Sequence, residues 1–248
     1  MNGWARLSHG VAAHARAERV MANHGGEMKT IHQILYGAAL LFPLLAGAAS
    51  FDCAKARKPV EKTICADPAL SRLDEELAAA YRLALDKSAS RGAVKEWQRY
   101  WLAWSRDGAG DAASLRQAYR AQLLELGQHA RASSAGDAYT GVYRRYRNGR
   151  PDEDSAEIVV IVLSGQRVRI LGNANWVGNA ATGNVNTAMV DGTAVLAGKL
   201  VHYVDPAAEC GFTLRFGAGG LEVGDEHAEC GGMNVTFKGA YRKATDAR

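Results

Sequence analysis

The chain contains no HExxH pair, no GxSxG elbow, no phosphate-binding glycine loop and no CxxC spacing. The usual sequence marks of zinc hydrolysis, serine acyl transfer, nucleotide binding and zinc ribbons are therefore missing. Charge of one sign is also missing. Thirty Lys and Arg against 26 Asp and Glu leave +4, too weak a basic balance to imply a nucleic-acid partner. Histidine is scarce: beyond residue 50 there are only His129, His202 and His227. Asp225 and His227 lie close together but have no third partner, and they read as a solvated loop. Asp74, Glu75 and Glu76 are adjacent, which scatters them around a helix; Asp74 is expected to fix a local contact and the two glutamates to face water. These absences predict a protein that is not an enzyme, with no catalytic residue, no cofactor and no metal.

What is present is an ordinary globular composition, 48% apolar and 23% charged, which excludes disordered, collagen-like and coiled-coil chains. Residues 28–50 carry Lys29, an apolar stretch from Ile34 to about Ala46, and the small-residue exit Ala46-Gly47-Ala48. That order reads as a secretory signal peptide, with an N-terminal membrane anchor as the competing reading, and the stretch is shorter than the ~18–20 residues of a spanning helix. Cleavage is expected between Ala48 and Phe51, leaving no membrane span. Residues 1–27 precede this signal and read as a start-site artefact or an extension, with Met28 as the expected initiator.

Two periodicities follow. Leu70, Leu73, Leu77, Tyr81 and Leu85 recur at helical steps behind an Asp67-Pro68 start. Val94, Trp97, Trp101 and Trp104 make a second stripe, read as core packing. Leu115, Tyr119, Leu123 and Leu126 make a third, with Asp111 as its cap. A shorter helix is expected over residues 59–66. After residues 131–138, read as a linker, short β-branched and aromatic runs alternate with Gly and Asn. The predicted fold is α+β by separate domains: a small antiparallel helical bundle over 51–130, then an antiparallel β barrel or sandwich of seven or eight strands over 139–248. Fragments 51–130 and 137–248 are each expected to fold alone.

Four cysteines behind a signal peptide suggest disulfides. Three pairings are possible; the simplest keeps Cys53 with Cys65 and Cys210 with Cys230, one bridge in each region. Metal binding competes, without CxxC support.

The order Phe51-Asp52-Cys53, Val60-Glu61-Lys62-Thr63-Ile64-Cys65, Leu70-Ser71-Arg72-Leu73-Asp74, then Tyr81, resembles the N-terminal domain of the LprI lysozyme-inhibitor family. Trp104-Ser105-Arg106-Asp107 and Leu115-Arg116-Gln117-Ala118-Tyr119 extend the likeness, over about residues 51–127. The family usually has two more cysteines, near the positions of Ala109 and Ser114. Their joint absence implies that they pair with each other, and so supports Cys53–Cys65. The resemblance implies an envelope or secreted protein, periplasmic or released, whose partner is lysozyme. The region ending Cys230-Gly231-Gly232 resembles, in architecture only, the small β barrels of other bacterial lysozyme inhibitors.

Two segments are candidates for target binding. One is the Asn/Gly-rich stretch 172–186, with Asn173, Asn175, Trp176 and Asn179; its residues suit turns, and Trp176 reads either as an anchor or as barrel core. The other is Arg144, Arg145, Arg147 and Arg150, an arginine surface for carboxylates or the end of a charged hairpin. Two functions fit. One is a proteinaceous inhibitor that blocks the two-carboxylate cleft of a lysozyme-type muramidase. The other is a non-inhibitory envelope module for a glycan, lipid headgroup or partner protein. Bulk charge steers neither: residues 51–130 hold 13 basic and 11 acidic side chains, and residues 131–248 hold 13 of each. Inhibition would rest on local geometry, with the acidic cluster Asp152–Asp154 and Glu157 as one attractive element for a basic enzyme.

Overall fold

A computed structural model describes residues 49–134, 137–227 and 230–246. The expected signal peptide, apart from its last two residues, and the 1–27 extension lie outside the described residues. Four helices come first: α1 (Pro59–Ala66), α2 (Pro68–Lys87), α3 (Arg91–Tyr100) and α4 (Ala112–Ser134). Local chemistry sets their starts. Asp67 accepts from the N–H groups of Ala69 and Leu70, with Pro68 in the first turn of α2. Ser90 accepts from Ala93 N–H, and Asp111 from Ser114 N–H at 2.7 Å. Helix α4 runs on to Ser134, so the first half of the expected linker 131–138 is helical.

The buried stripes match the periodicity, with one correction. Trp97 and Trp101 are buried, whereas Trp104 is 58% exposed. Helix α3 passes directly into a π-helical turn, Trp101–Arg106, closed by Asp107 N–H on Leu102 O. A π turn holds one extra residue. The inward position therefore slips to Ser105 and Arg106, and the Trp104 indole turns to solvent.

The C-terminal region is a closed antiparallel barrel. Its strands are β1 (Gly141–Arg147), the two-residue β2 (Arg150–Pro151), β3 (Ala156–Leu163), β4 (Arg167–Asn179), β5 (Asn184–Ala197), β6 (Leu200–Asp205), β7 (Cys210–Gly217), β8 (Gly220–His227) and β9 (Gly239–Lys243). With β2 set aside, chain neighbours are sheet neighbours throughout, and β1 pairs with β9 from Tyr143↔Lys243 to Tyr146↔Ala240. Eight strands thus close the barrel, with β2 a short ladder on the end of β1. Closure removes the edges that would otherwise template pairing with other chains. At the β1–β2 turn, Asn148 and Gly149 both take positive φ, 52° and 79°, as a tight hairpin requires. The interior holds Tyr143, Ile158, Ile170, Tyr203, Phe212 and Phe237, with Tyr203 and Phe212 stacked at 4.8 Å.

The helices lie against the outside of this barrel. Val142, Val159, Ile161, Leu163 and Leu171 belong to the helical core, while Ile158 and Val160 point into the barrel. Strand β3 is therefore apolar on both faces, the physical meaning of the unbroken run Ile158–Leu163. Polar contacts fasten the same interface. The His129 ring on α4 meets Trp97 edge-on at 6.3 Å, and its Nδ1 is 2.8 Å from Val162 O. A carbonyl only accepts, so Nδ1 carries the proton and Nε2 accepts from Ser133 Oγ at 3.2 Å. Arg169 on β4 reaches both Glu125 of α4 and Asp191 of β5. Burial pushes both carboxyls up, and the Arg169 charge opposes the shift. The described residues form one compact unit, with the helix-to-strand change at 134–141 inside it. Each region keeps its own bridge, Cys53–Cys65 and Cys210–Cys230.

Candidate functional site

The stretch 172–186 is strand, not a set of turns. Strands β4 and β5 pair from Arg167↔Val195 out to Asn179↔Asn184. Strand β3 accompanies β4 only as far as Ala156↔Ala174, and β6 pairs with β5 only at Leu196 and Ala197. Beyond Ala174 and Ala188 the two strands continue as a two-stranded arm. Cross-strand pairing overrides the poor strand preference of Asn and Gly. Only the tip, 180–183, is a turn, capped by the Asn179 side chain accepting from Ala181 N–H.

Alternation splits the expected binding residues between two faces. One face carries Trp176, facing Asn186 across the ladder. Trp176 is half-buried. Its indole lies over Gly178, where a Cβ would sit 2.4 Å from the ring. Segment 231–234 covers the same face: Gly231 abuts Ala188, and Asn186 Nδ2 donates to Met233 O at 2.7 Å. The opposite face carries Asn173, Asn175, Val177 and Asn179, with Val185, Thr187 and Met189 from β5. Here Val177, Val185 and Met189 are exposed by 38%, 41% and 46%. Asn175 is held by Ser155, donating to its Oγ at 3.0 Å, and Val177 N–H donates to Asp154 Oδ1. Asn173 remains exposed.

The two candidate arginines part company. Arg144 is exposed and pairs with Glu157 at 2.9 Å. Register places Arg144, Glu157, Asn173 and Met189 in one row across four strands, so the Arg144 region and the outer face of the arm form one continuous surface. Arg145 is different: at 4% exposure it cannot serve as a contact residue. Strand alternation turns it inward beside Tyr143. Its guanidinium donates to the carbonyls of Thr236, Asp154 and Lys238. Its Nε lies 2.9 Å from buried Asp152, off-line for a directed hydrogen bond, so that contact is ionic. Arg147 also pairs with Asp152, at 3.2 Å, and with Arg150 it lines a cleft at the β1–β2 turn. Asp225 and His227 lie on β8, where Asp225 pairs with Arg215 at 2.8 Å.

Two exposed features escaped the sequence reading. The first is the apolar outer face of the arm, signalled by alternation from Asn173 to Asn179. The second is Trp104, 6.2 Å from Tyr100. Tyr100 itself borders Glu157 and Asn173 in a small cleft, which brings the α3 end close to the Arg144–Asn173 row. A separate cleft of about 490 Å³ opens among the helices, lined by Phe51, Asp74, Tyr81, Gln98, Trp101 and Arg106. Among the described residues no three His, Cys, Asp or Glu side chains are grouped to hold a metal ion, and no helix is long and apolar enough to cross a membrane.

No curated protein and no solved structure shows significant similarity to the chain. The helices, the bridge Cys53–Cys65 and the strand that starts the barrel do have a counterpart: residues 53–146 match the family described as Lysozyme inhibitor LprI.

Proposed function

We propose that this is an exported inhibitor of lysozyme-type muramidases, which binds its target and blocks the catalytic cleft. The family match over residues 53–146 carries the reading. It spans all four helices and β1 up to Tyr146, which includes the junction where the helices meet the barrel. The two disulfides fit an oxidising compartment.

The contact surface proposed is the arm together with the Arg144 row. A muramidase cleft holds two carboxylates beside the scissile bond. Against it this surface offers one arginine, the Asn173 amide, and the apolar side chains Val177, Val185 and Met189, with the half-buried Trp176 indole on the reverse of the same arm. Aromatic and arginine anchors with an apolar surround are the usual energetic centre of a tight interface.

The test is hydrolysis of bacterial cell walls by several lysozyme types, with the purified protein added. Dose-dependent loss of hydrolysis with at least one type is expected. Unimpeded hydrolysis by every type, with folded protein, would instead favour the non-inhibitory module for a glycan, lipid headgroup or partner protein.

A further inference from the structure

The helical cleft contains a buried carboxylate that has no cation beside it among the described residues. Asp74, on α2, is 5% exposed. Its Oδ1 accepts from the Tyr119 hydroxyl at 2.6 Å, and its Oδ2 from the Ser50 backbone N–H at 2.7 Å. Burial, and then the Asp74 contact, push the Tyr119 hydroxyl far up, so it stays a neutral donor. The cations lining the cleft are engaged elsewhere: Lys55 with Asp52 at 3.5 Å, and Arg106 with Asp107 at 2.8 Å. The other ionisable groups there are Glu61, which accepts from the N–H groups of Arg57 and Lys58, and Tyr81. Among the described residues Asp74 has no ion-pair partner. A buried carboxylate without one is costly, because hydrogen bonds alone do not replace lost hydration.

Beside it lies the expected processing region. Ala49 is 7% exposed, and its methyl belongs to the helical core. Immediately before it stands the small-residue exit Ala46-Gly47-Ala48. We propose that export cleaves the chain between Ala48 and Ala49, and that the new α-ammonium of Ala49 is the cation that Asp74 lacks. This rests on the exported reading above. An endopeptidase of the export machinery adds one water across the peptide bond. Ala48 leaves as a carboxylate, and the Ala49 nitrogen becomes a primary amine that takes up a proton. Covalent geometry holds that nitrogen within about 3.7 Å of Ser50 N, close enough for direct charge interaction with the carboxylate. Cleavage after Ala49 would discard a buried methyl. Cleavage after Ser50 would discard the N–H that Asp74 already holds. In the uncut chain the same nitrogen is a neutral amide, so processing itself completes the site.

The experiment begins with the chain started at Met28, expressed in a bacterium and recovered from the periplasm. Intact mass should show Ala49 as the first residue; a start at Ser50 or Phe51 overturns the proposal. Retention in the cytoplasm as uncut precursor overturns the exported reading, and this inference with it. The exported protein is then acylated at its α-amine at pH 7, with the N-terminal peptide followed by mass. A free α-amine titrates near 7.7–8.0, and a rise of one unit removes about nine-tenths of the reactive form. The folded protein should react roughly tenfold more slowly than the same protein in denaturant, and Asp74→Asn should restore most of the rate. Equal rates overturn the pairing, as does an Asp74→Asn protein that stays slow. Should that variant not fold, the pH dependence of the parent's acylation decides. Its inflection should lie about one unit above that in denaturant, and an unshifted inflection overturns the proposal.

Discussion

Replacing Arg145 with alanine should destabilise this protein rather than merely disarm it. The side chain is 3% exposed, and its partner Asp152 is 5% exposed. Truncation leaves a buried carboxylate with only the peripheral Arg147 as cation. It also removes the donor from three carbonyls on two separate segments, at Asp154 and at Thr236 and Lys238. Removing one member of a buried ion pair costs about 3–5 kcal/mol. For a folded unit of this size that corresponds to a Tm roughly 6–20 °C lower. Arg144→Ala, one residue away, is the control: its side chain is 61% exposed, and its surface pair should be worth less than about 1 kcal/mol. Arg145→Met combined with Asp152→Leu should recover much of the loss, since an apolar pair of similar size leaves no orphaned charge. Thermal unfolding of the four proteins, followed by the cell-wall hydrolysis assay on those that fold, checks the reasoning. An Arg145→Ala protein that melts with the parent but no longer inhibits would refute it, and would return Arg145 to the contact surface.

Three further outcomes are expected. Gly178→Ala drives a methyl into the Trp176 indole; with Trp176→Ala it should weaken target binding by at least about 1–2 kcal/mol by titration, with smaller effects on Tm. Unchanged binding in either folded variant would exclude the Trp176 face of the arm. Burial lowers the affinity of His129 for a proton. Its contribution to stability is therefore complete above the ordinary value near 6.5 and is lost as pH falls below it, by up to about 1.4 kcal/mol per unit. Glu125 and Asp191, pushed up by burial, act in the opposite sense, so the comparison is the parent against His129→Gln between pH 7 and 5; parallel curves would contradict the assignment. Finally, fragment 137–248 produced alone would expose Val142, Val159, Ile161, Leu163 and Leu171, each worth about 1.5–3 kcal/mol when buried. It should bind a hydrophobic dye or aggregate unless residues 51–134 are supplied, and a monomeric, dye-silent fragment would show that the helices are not needed.

Much of this architecture was legible because local and tertiary demands agree. Asp67 and Pro68 cap the helix that the leucine spacing announces, and the separate cysteine pairs close within their own regions. The errors fall where a side chain's direction depends on something the sequence does not display. Trp104 obeys the helical spacing, but a single π turn rotates it outward. Arg144 and Arg145 are chemically identical, and only the strand register decides which one meets water. The Asn/Gly stretch has the composition of turns, yet residues 172–179 are held extended by Asn184–Val190 of β5 opposite them. The run Ile158–Leu163 identified a strand correctly. Its lack of alternation also signals a second covered face, the one that packs under the helices.

The π turn at Trp101–Arg106 gives this architecture a place where its length can change. Deleting one residue at position 102 or 103 would let the helix run on with ordinary spacing, with Ser105 and Arg106 still turned inward and Trp104 still outside. Restoring the residue would rebuild the π turn. A one-residue change inside an ordinary helix rotates everything beyond it by about 100°. Here the π turn absorbs the change, and the faces presented on either side of it are kept.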